Sequence, residues 1–354
     1  MIDNSRDPDG HSEWIVRGQT KAKVLNAPGY PQPLPKATGP PAYVIKPTSN
    51  MGLGVFATRD FRIGGLIFAE HPLLVTPRAI SAPALNLPKD CDTKTQHAAI
   101  MFEWEKRLQV ALGRMTSEDQ TAFMSLANNH KEDGSGPIFG IIRTNSFGIG
   151  SQIFDGEERR RDNSTGYGAV VKVGSRINHS CMPNVTHAFT IASFSSQFTA
   201  KLDIKAGEQL FTSYCGLYQS AAERLAELAP YGVVCKCPAC LHATPETDKL
   251  RKEYKTLTQK YMAQIYPLIS GSRLRVAERM IDPALQFREA LINEGFHFSS
   301  EFREIVLMIQ LFYGHLGLHE KAKPYKEEYL RYMELKYLVG PLTDLMGFEI
   351  RKFE

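Results

Sequence analysis

The chain has 354 residues, a formal net charge of +4 and 43% hydrophobic residues. This composition is that of an ordinary globular protein, and the length allows two domains or one domain with extensions. The charge is too small to indicate direct nucleic-acid binding, which needs a concentrated basic face. The chain has no apolar run of about 18 residues and no secretory signal at its polar N-terminus. We therefore expect a protein of the nucleus or cytoplasm without a membrane partner.

Residues 1–40 contain a series of prolines that would break a helix or an inner strand. The segment has no clear hydrophobic periodicity, so no core of its own is expected. We predict a Pro-rich N-terminal arm, disordered or extended along the surface. The prolines on which this prediction rests are Pro28, Pro31, Pro33, Pro35, Pro40 and Pro41.

The next part of the chain alternates short apolar runs with glycine turns, which predicts strands. Three strands are expected at 43–45, 55–57 and 66–70. The turn between the first two contains Met51-Gly52-Leu53-Gly54. This pattern indicates a β-rich first half.

Residues 94–128 change to a helical period, with one helix ending at Gly113. Thr116-Ser117-Glu118-Asp119 is typical of a capped helix start, and the second helix should reach about Ala127. Together these helices form a predicted insert at about 90–135.

Strands return around 169–173, 187–191, 198–202 and 209–214. Beyond them, residues 246–354 have a helical pattern. The first helix has an apolar stripe, and a helix pair is expected at 302–312 and 321–337 about the break at Gly317. A clear 34-residue repeat is not visible, so the pattern favours helical hairpins of a tetratricopeptide-like (TPR-like) kind. The stripe consists of Leu250, Tyr254, Leu257, Tyr261 and Ile265.

Three motifs follow one another in the second half of the chain. The first is Asn178-His179-Ser180-Cys181, which continues as Met182-Pro183-Asn184. The second is Gly207-Glu208-Gln209-Leu210 running to Tyr214, and the third is Cys235-Lys236-Cys237-Pro238-Ala239-Cys240. Three of the six cysteines thus lie within six residues, a spacing that suits a metal better than disulfides.

In this order the motifs resemble the catalytic core of a SET-domain methyltransferase of the SMYD type, over about residues 43–241. The resemblance implies an α+β fold: a SET domain of several small sheets with a helical insert, followed by a C-terminal helical-hairpin domain. We place the SET domain at 41–214, a post-SET zinc segment at 215–245 and the helical domain at 246–354. SMYD proteins carry a cysteine-rich MYND module near the insert, where this chain has only Cys91, so we expect that module to be absent.

The resemblance also implies a structural zinc ion. In the families that use a CxCxxC post-SET segment, the fourth ligand is the cysteine of the NHSC motif. Such a metal would hold the small post-SET segment against the SET core as one wall of the active site. The expected ligands are Cys181, Cys235, Cys237 and Cys240.

The methyl donor implied by the resemblance is S-adenosyl-L-methionine. The cofactor-binding residues carried over from the family are Met51, Gly52, Leu53, Gly54, Asn145, Asn178, His179, Tyr231 and Val233. Two departures stand out. Met51 and Leu53 are apolar at positions where many family members have a basic side chain that binds the donor carboxylate. Arg176 or backbone groups could bind the carboxylate instead. Val233 stands where an aromatic ring often stacks on adenine.

Tyr214 matches the essential catalytic tyrosine of the family, and Tyr231 matches a second active-site aromatic. Methyl transfer is an in-line displacement, so positioning supplies much of the catalysis. The acceptor lysine has an ordinary pKa near 10.4, and burial beside a cation lowers it. No strong general base is therefore required.

The main hypothesis is a monomeric protein-lysine N-methyltransferase acting on a histone or a non-histone protein. Two alternatives remain open: an enzyme that methylates a small molecule or an unusual acceptor, and a SET-fold regulatory or binding protein with little activity. The sequence does not identify the acceptor or the degree of methylation.

Overall fold

The computed structural model describes residues 12–37, 39–80, 90–157, 164–270 and 276–338. The N-terminal part of this region is β-rich, as the glycine turns predicted. Residues 53–57 and 43–47 form an antiparallel hairpin in which Tyr43 pairs with Ala57. The elements in order are β1 (Glu13–Trp14), α1 (Gly18–Leu25), β2 (Tyr43–Pro47), β3 (Leu53–Ala57), β4 (Leu66–Glu70) and β5 (Leu74–Pro77).

The prediction of an extended or disordered arm is wrong for residues 13–25, which include β1 and α1. The strand β1 pairs in parallel with β5, and Trp14 stacks on Phe194 with 3.9 Å between ring centroids. Val24 of α1 is buried. The cluster of prolines begins at Pro28, after the helix, so it limits α1 without preventing it. Residues 1–11 of the predicted arm lie outside the described part.

The helical insert follows, and its second helix begins at the cap that the sequence predicted, whereas the cap of its first helix was not predicted. The Asp92 side chain accepts from Thr95 N–H, and the Thr116 side chain accepts from Asp119 N–H. The first helix extends one residue past Gly113. A third helix, Pro137–Asn145, follows directly after the predicted insert. These elements are α2 (Thr93–Arg114), α3 (Ser117–Met124) and α4 (Pro137–Asn145).

The region after the insert adds short strands. The strand expected at 209–214 covers only residues 211–212, and those expected at 187–191 and 198–202 begin two and three residues earlier. The described strands form four small sheets, with strand orders β1-β5-β7-β6, β4-β10-β9, β11-β8 and β2-β3. Separate apolar clusters fill the spaces between these sheets and under the insert. The added strands are β6 (Phe147–Gly148), β7 (Tyr167–Val170), β8 (Asn178–His179), β9 (Val185–Thr190), β10 (Ser195–Ala200) and β11 (Phe211–Thr212).

The rest of the described chain is helical and has its own apolar core, built around Phe302, Ile309 and Phe312. The buried Arg251 ties this region to the segment after Tyr214, because its guanidinium donates to the Leu217 carbonyl at 2.8 Å. The mixed architecture is therefore α+β with a C-terminal helical region. The helices are α5 (Ala221–Leu228), α6 (Pro238–Leu241), α7 (Pro245–Ser270), α8 (Asp282–Asn293), α9 (Ser300–His315) and α10 (His319–Leu338).

In the described residues, no helix combines the length and the apolar character needed to cross a membrane. The helix α8 was not predicted from the sequence, and the remainder of the predicted C-terminal domain, residues 339–354, lies outside the described part.

Candidate active site

A cavity of about 790 Å³ lies where the β2–β3 turn, the end of α4, the NHSC motif and the post-SET segment meet. Its walls combine backbone from a glycine turn with polar and aromatic side chains, which is the usual character of a site for a small polar ligand. Gly54 is not among the residues that line the cavity, whereas the cysteines Cys235 and Cys237 are. The other sequence-predicted cofactor-site and catalytic residues line it: Met51, Gly52, Leu53, Asn145, Asn178, His179, Tyr214, Tyr231 and Val233.

The glycine turn meets the NHSC motif through a close approach of backbone. Gly52 has a φ of +67°, which favours glycine. A Cβ on Gly54 would lie 3.2 Å from Asn178 Nδ2 and 2.6 Å from Gln209 Nε2. The Asn178 amide donates to the Leu53 carbonyl at 3.0 Å. The turn is thus fixed to the NHSC motif, and its glycine allows the two to touch.

Met51 and Leu53 are exposed apolar side chains at the cavity. Arg176 also lines the cavity, and its guanidinium donates to Ser125 Oγ at 2.7 Å. Burial lowers the pKa of Arg176 from its ordinary value, but guanidinium remains charged at neutral pH. This placement fits the sequence-based suggestion that Arg176 supplies the positive charge that Met51 and Leu53 do not.

Asn145 ends α4 with its side chain turned inward. Its amide nitrogen donates to the Ala127 carbonyl at 2.7 Å and to the Ile141 carbonyl at 2.8 Å. Both N–H bonds of the amide are therefore used within the protein. A ligand in the cavity would meet the amide oxygen of Asn145 as an acceptor.

Tyr214 follows β11 and is held from two directions. Its hydroxyl donates to the Ile177 carbonyl at 2.7 Å, and its backbone N–H donates to His179 Nδ1 at 3.0 Å. Burial, and then the nearby Tyr231, raise the pKa of Tyr214 above its ordinary value. The residue is therefore a neutral phenol at physiological pH, and its oxygen faces an incoming group as an acceptor.

Tyr231 forms a second aromatic wall, with its ring centroid 5.4 Å from that of Tyr214. Its carbonyl accepts a hydrogen bond from the Asn129 amide, which lies between α3 and α4. The helical insert thus holds the post-SET segment at Tyr231. The role of Asn129 was missed, because a polar residue in a loop carries no local signal of a contact so distant in sequence.

Four cysteine Sγ atoms lie close together: the ligand atoms of Cys181, Cys235, Cys237 and Cys240 are all within 4.8 Å of one another. Cys181 Sγ is 3.9 Å from Cys235 Sγ and 3.4 Å from Cys240 Sγ. All six cysteines are free thiols. In a tetrahedral site with Zn–S bonds of about 2.3 Å, neighbouring sulfurs are about 3.8 Å apart. The donor set therefore fits a structural zinc ion.

Arg224 supports this cluster from the buried side of α5. Its guanidinium donates to the Ala239 carbonyl at 3.3 Å and to Cys240 Sγ at 3.6 Å, which would offset part of the negative charge of four thiolates. In addition, ligand atoms of His179, Cys181 and Cys215 lie within 4.8 Å of one another. Neither Arg224 nor the proximity of Cys215 was predicted, since both arise from the tertiary fold.

The comparisons with known proteins agree with this arrangement. Residues 52–215 match the family model "SET domain". "Histone-lysine N-methyltransferase set5" of Schizosaccharomyces pombe is 31% identical over 211 residues, which are 59% of this chain and 53% of that protein. Human "N-lysine methyltransferase SMYD2" is 35% identical over 91 residues, 25% of this chain and 20% of that protein.

Among solved structures, "Structure of Rubisco LSMT bound to AdoMet" is 14% identical with a TM-score of 0.32, covering 90% of this chain and 93% of that one. The chain spans about half the length of the first of these curated relatives and a smaller share of the second. The match to the SET-domain model over residues 52–215 thus includes the glycine turn, the NHSC motif and Tyr214, which meet at the cavity.

Proposed function

We propose that this protein is an S-adenosyl-L-methionine-dependent protein-lysine N-methyltransferase. The observation that carries the proposal is the position of Tyr214, a partly buried neutral phenol that opens onto the same cavity as the glycine turn and the NHSC motif. The names of the relatives, which include a histone-lysine N-methyltransferase and an N-lysine methyltransferase, support a protein substrate, histone or non-histone. Such a protein would act in the nucleus or cytoplasm, as a monomer.

The donor-binding residues in this proposal come from both walls of the cavity. The turn 51–54 offers backbone, Asn145 and Asn178 offer side-chain amides, and Arg176 offers a cation for the donor carboxylate. His179, Tyr231 and Val233 complete the wall. When bound, S-adenosyl-L-methionine supplies a methyl group activated by its sulfonium sulfur.

The chain's own contribution to the reaction is positioning. The Tyr214 hydroxyl proton is committed to Ile177, so its oxygen can accept a hydrogen bond from the amine or a polarised C–H group. The aromatic rings of Tyr214 and Tyr231 favour the sulfonium cation of the donor beside them and exclude water. At pH 7 the proton loss of an ordinary lysine costs roughly 4–5 kcal/mol. Desolvation against these rings reduces that cost, so no side-chain base is needed.

Cys181, Cys235, Cys237 and Cys240 would hold a zinc ion in this proposal. Because Cys235 and Cys237 border the cavity, the ion would fix the wall that carries Tyr231 and Val233. Its role would be structural, since four thiolates leave no open coordination position for a substrate.

The test is methyl transfer from radiolabelled donor to histones, to a cell-extract protein pool and to a small-molecule extract. Label should enter a protein band with the wild-type protein. Tyr214→Phe should lower the rate by at least about 100-fold, since it removes the positioned oxygen. Tyr266→Phe is the matched control, because Tyr266 is an exposed residue of α7, and its rate should equal that of the wild type.

The other outcomes distinguish the alternatives. Label only in the small-molecule fraction would replace protein methylation with an activity on a small acceptor. Donor binding without label in any fraction would favour a regulatory SET-fold protein. Equal rates for Tyr214→Phe and the wild type would exclude Tyr214 from the reaction.

A further inference from the structure

Glu70, the last residue of β4, directs its carboxylate at the turn that leads into the NHSC motif. The carboxylate accepts from Val173 N–H at 2.9 and 3.2 Å and from Gly174 N–H at 2.6 Å. Hydrogen bonds from backbone N–H groups to a charged acceptor are stronger than neutral ones. The side chain is partly buried and lies outside the set of residues that line the donor cavity.

The turn held by Glu70 is also fixed on its other sides. Ser175 Oγ donates to the Asn145 carbonyl and accepts from Val171 N–H, both at 3.1 Å. A Cβ on Gly174 would collide with the ring of Phe198 in β10. The turn is therefore tightly packed, and a small displacement of it cannot be absorbed locally.

Several site residues follow directly from this turn. Arg176 and Asn178 line the cavity, and the Ile177 carbonyl receives the hydroxyl of Tyr214. Ser175 links the same turn to Asn145. The groups that would hold the donor and the group that orients Tyr214 thus depend on one short segment of backbone.

We propose that Glu70 is a positioning residue for methyl-donor binding, acting through the turn Lys172–Gly174 on Arg176, Ile177 and Asn178. The proposal rests on the proposed donor site. In this role Glu70 holds the turn in place and does not contact the donor.

The electrostatic surroundings of Glu70 make the proposal testable by pH. The charged and titratable groups facing it are Lys172 on the turn, which also pairs with Glu118 at 2.5 Å, and Tyr43 of β2. Burial raises the pKa of Glu70 to about 7, against the opposing effect of the backbone N–H groups and Lys172. The carboxylate therefore gains a proton as the pH falls through neutrality.

Protein stability and donor affinity should change in opposite directions as the pH falls, if Glu70 positions the donor site. Its folded pKa is higher than its ordinary value, so the folded state binds more protons than the unfolded state between these two values. Its contribution to stability therefore becomes more favourable as the pH falls from about 7. Donor affinity should instead fall over that range, because a protonated carboxyl is a poorer acceptor for the turn. A purely structural residue would show the first effect alone.

The experiment measures the donor dissociation constant and amide hydrogen exchange for wild type, Glu70→Gln and Glu70→Asp, from about pH 6 to about pH 8. For Glu70→Gln at the upper pH we expect about tenfold weaker donor binding, from the loss of charged acceptors. Exchange of residues 173–178 should become faster. The wild-type affinity should weaken below neutrality, and that of Glu70→Gln should be independent of pH.

Glu294→Gln is the matched control, since Glu294 is a buried carboxylate of the C-terminal helices paired with Arg251 at 2.6 Å. It should lower the melting temperature without changing donor affinity. The inference would be overturned if Glu70→Gln exchanged its amides and bound the donor as the wild type does. It would also be overturned if the donor affinity of the wild-type protein did not change between about pH 6 and about pH 8. If the wild type binds no donor, the proposed function fails, and the exchange rates alone then decide whether Glu70 holds this turn.

Discussion

The imidazole Nδ1 of His179 accepts a hydrogen bond of 3.0 Å from the backbone N–H of Tyr214. An imidazole nitrogen that accepts carries no proton, so in the neutral ring the proton is on Nε2. Nε2 lies 3.3 Å from Cys181 Sγ. One buried side chain thus connects the proposed catalytic tyrosine to a proposed zinc ligand.

His179→Phe should test this connection, because phenylalanine keeps a ring but makes neither hydrogen bond. Groups that orient a metal ligand typically contribute about 10–100-fold to metal affinity or activity. We expect a fall of that size in kcat, together with weaker zinc retention. The measurements are steady-state kinetics and zinc content after dialysis against a chelator.

The control for this variant is His242→Phe, at an exposed position just after α6. It should retain both kcat and zinc. Unchanged kcat and zinc content in His179→Phe would show that the two hydrogen bonds contribute nothing to either site.

Removal of one thiol should release the zinc ion. Cys235→Ser leaves three of the four clustered sulfurs, and the small post-SET segment has little apolar area to hold it in place. We expect purified wild type to carry about one zinc ion per chain and the variant to lose it on dialysis, with a lower melting temperature. Elemental analysis by mass spectrometry and a thermal scan provide the measurements.

Cys91→Ser is the comparison variant, since Cys91 lies outside both of the described clusters that could hold a metal. Its zinc content should match that of the wild type. A wild-type protein without zinc, prepared in the absence of chelators, would argue that the cluster is a set of reduced thiols.

Gly54→Ala should weaken donor binding without reaching the donor directly. The added Cβ would lie 2.6 Å from Gln209 Nε2 and 2.8 Å from Thr48 Cγ2, so these side chains and Asn178 must move. Overpacking of this kind typically costs about 1–3 kcal/mol. We expect a dissociation constant about two- to tenfold higher by calorimetry, if half of that cost falls on the bound geometry.

Gly113→Ala is a suitable control, because the added methyl group would meet no described atom within 4 Å and the residue lies in α2. Alanine favours a helix over glycine by up to about 1 kcal/mol, so this variant should be more stable with unchanged donor affinity. Wild-type affinity in Gly54→Ala would mean that Asn178 does not position the donor.

Local patterns predicted the elements whose signal lies within the element itself. The cap at Thr116 and the strand at 66–70 are examples. The strand at Glu13–Trp14 was missed because its pairing partner is Leu74–Val75, and a two-residue strand has no periodicity of its own. Pairings between segments far apart in sequence leave no local trace.

The same distinction applies to the site. The motifs predicted which residues should converge, and the structure places nearly all of them around one cavity. The groups that hold them, such as Glu70, Asn129 and Arg224, come from other elements and look like ordinary polar residues in the sequence. Only their tertiary hydrogen bonds separate them from solvated surface groups.

Val233→Phe should strengthen donor binding. Val233 is a partly exposed residue of the cavity wall, at the position where the resemblance found in the sequence implies a ring against adenine. Aromatic stacking contributes about 0.5–1.5 kcal/mol beyond the area that it buries, which corresponds to a roughly two- to tenfold lower dissociation constant. Titration calorimetry with the donor and with adenosine would measure the change for both ligands.

The adenine part of the ligand should account for the whole gain, so adenosine should gain as much as the donor does. Val110→Phe controls for a general effect of an added ring, because Val110 is exposed on α2 and lies outside the described cavity wall. A gain for the donor but not for adenosine would place the ring against another part of the ligand. Weaker binding of both ligands would mean that Val233 leaves space that the adenine itself requires.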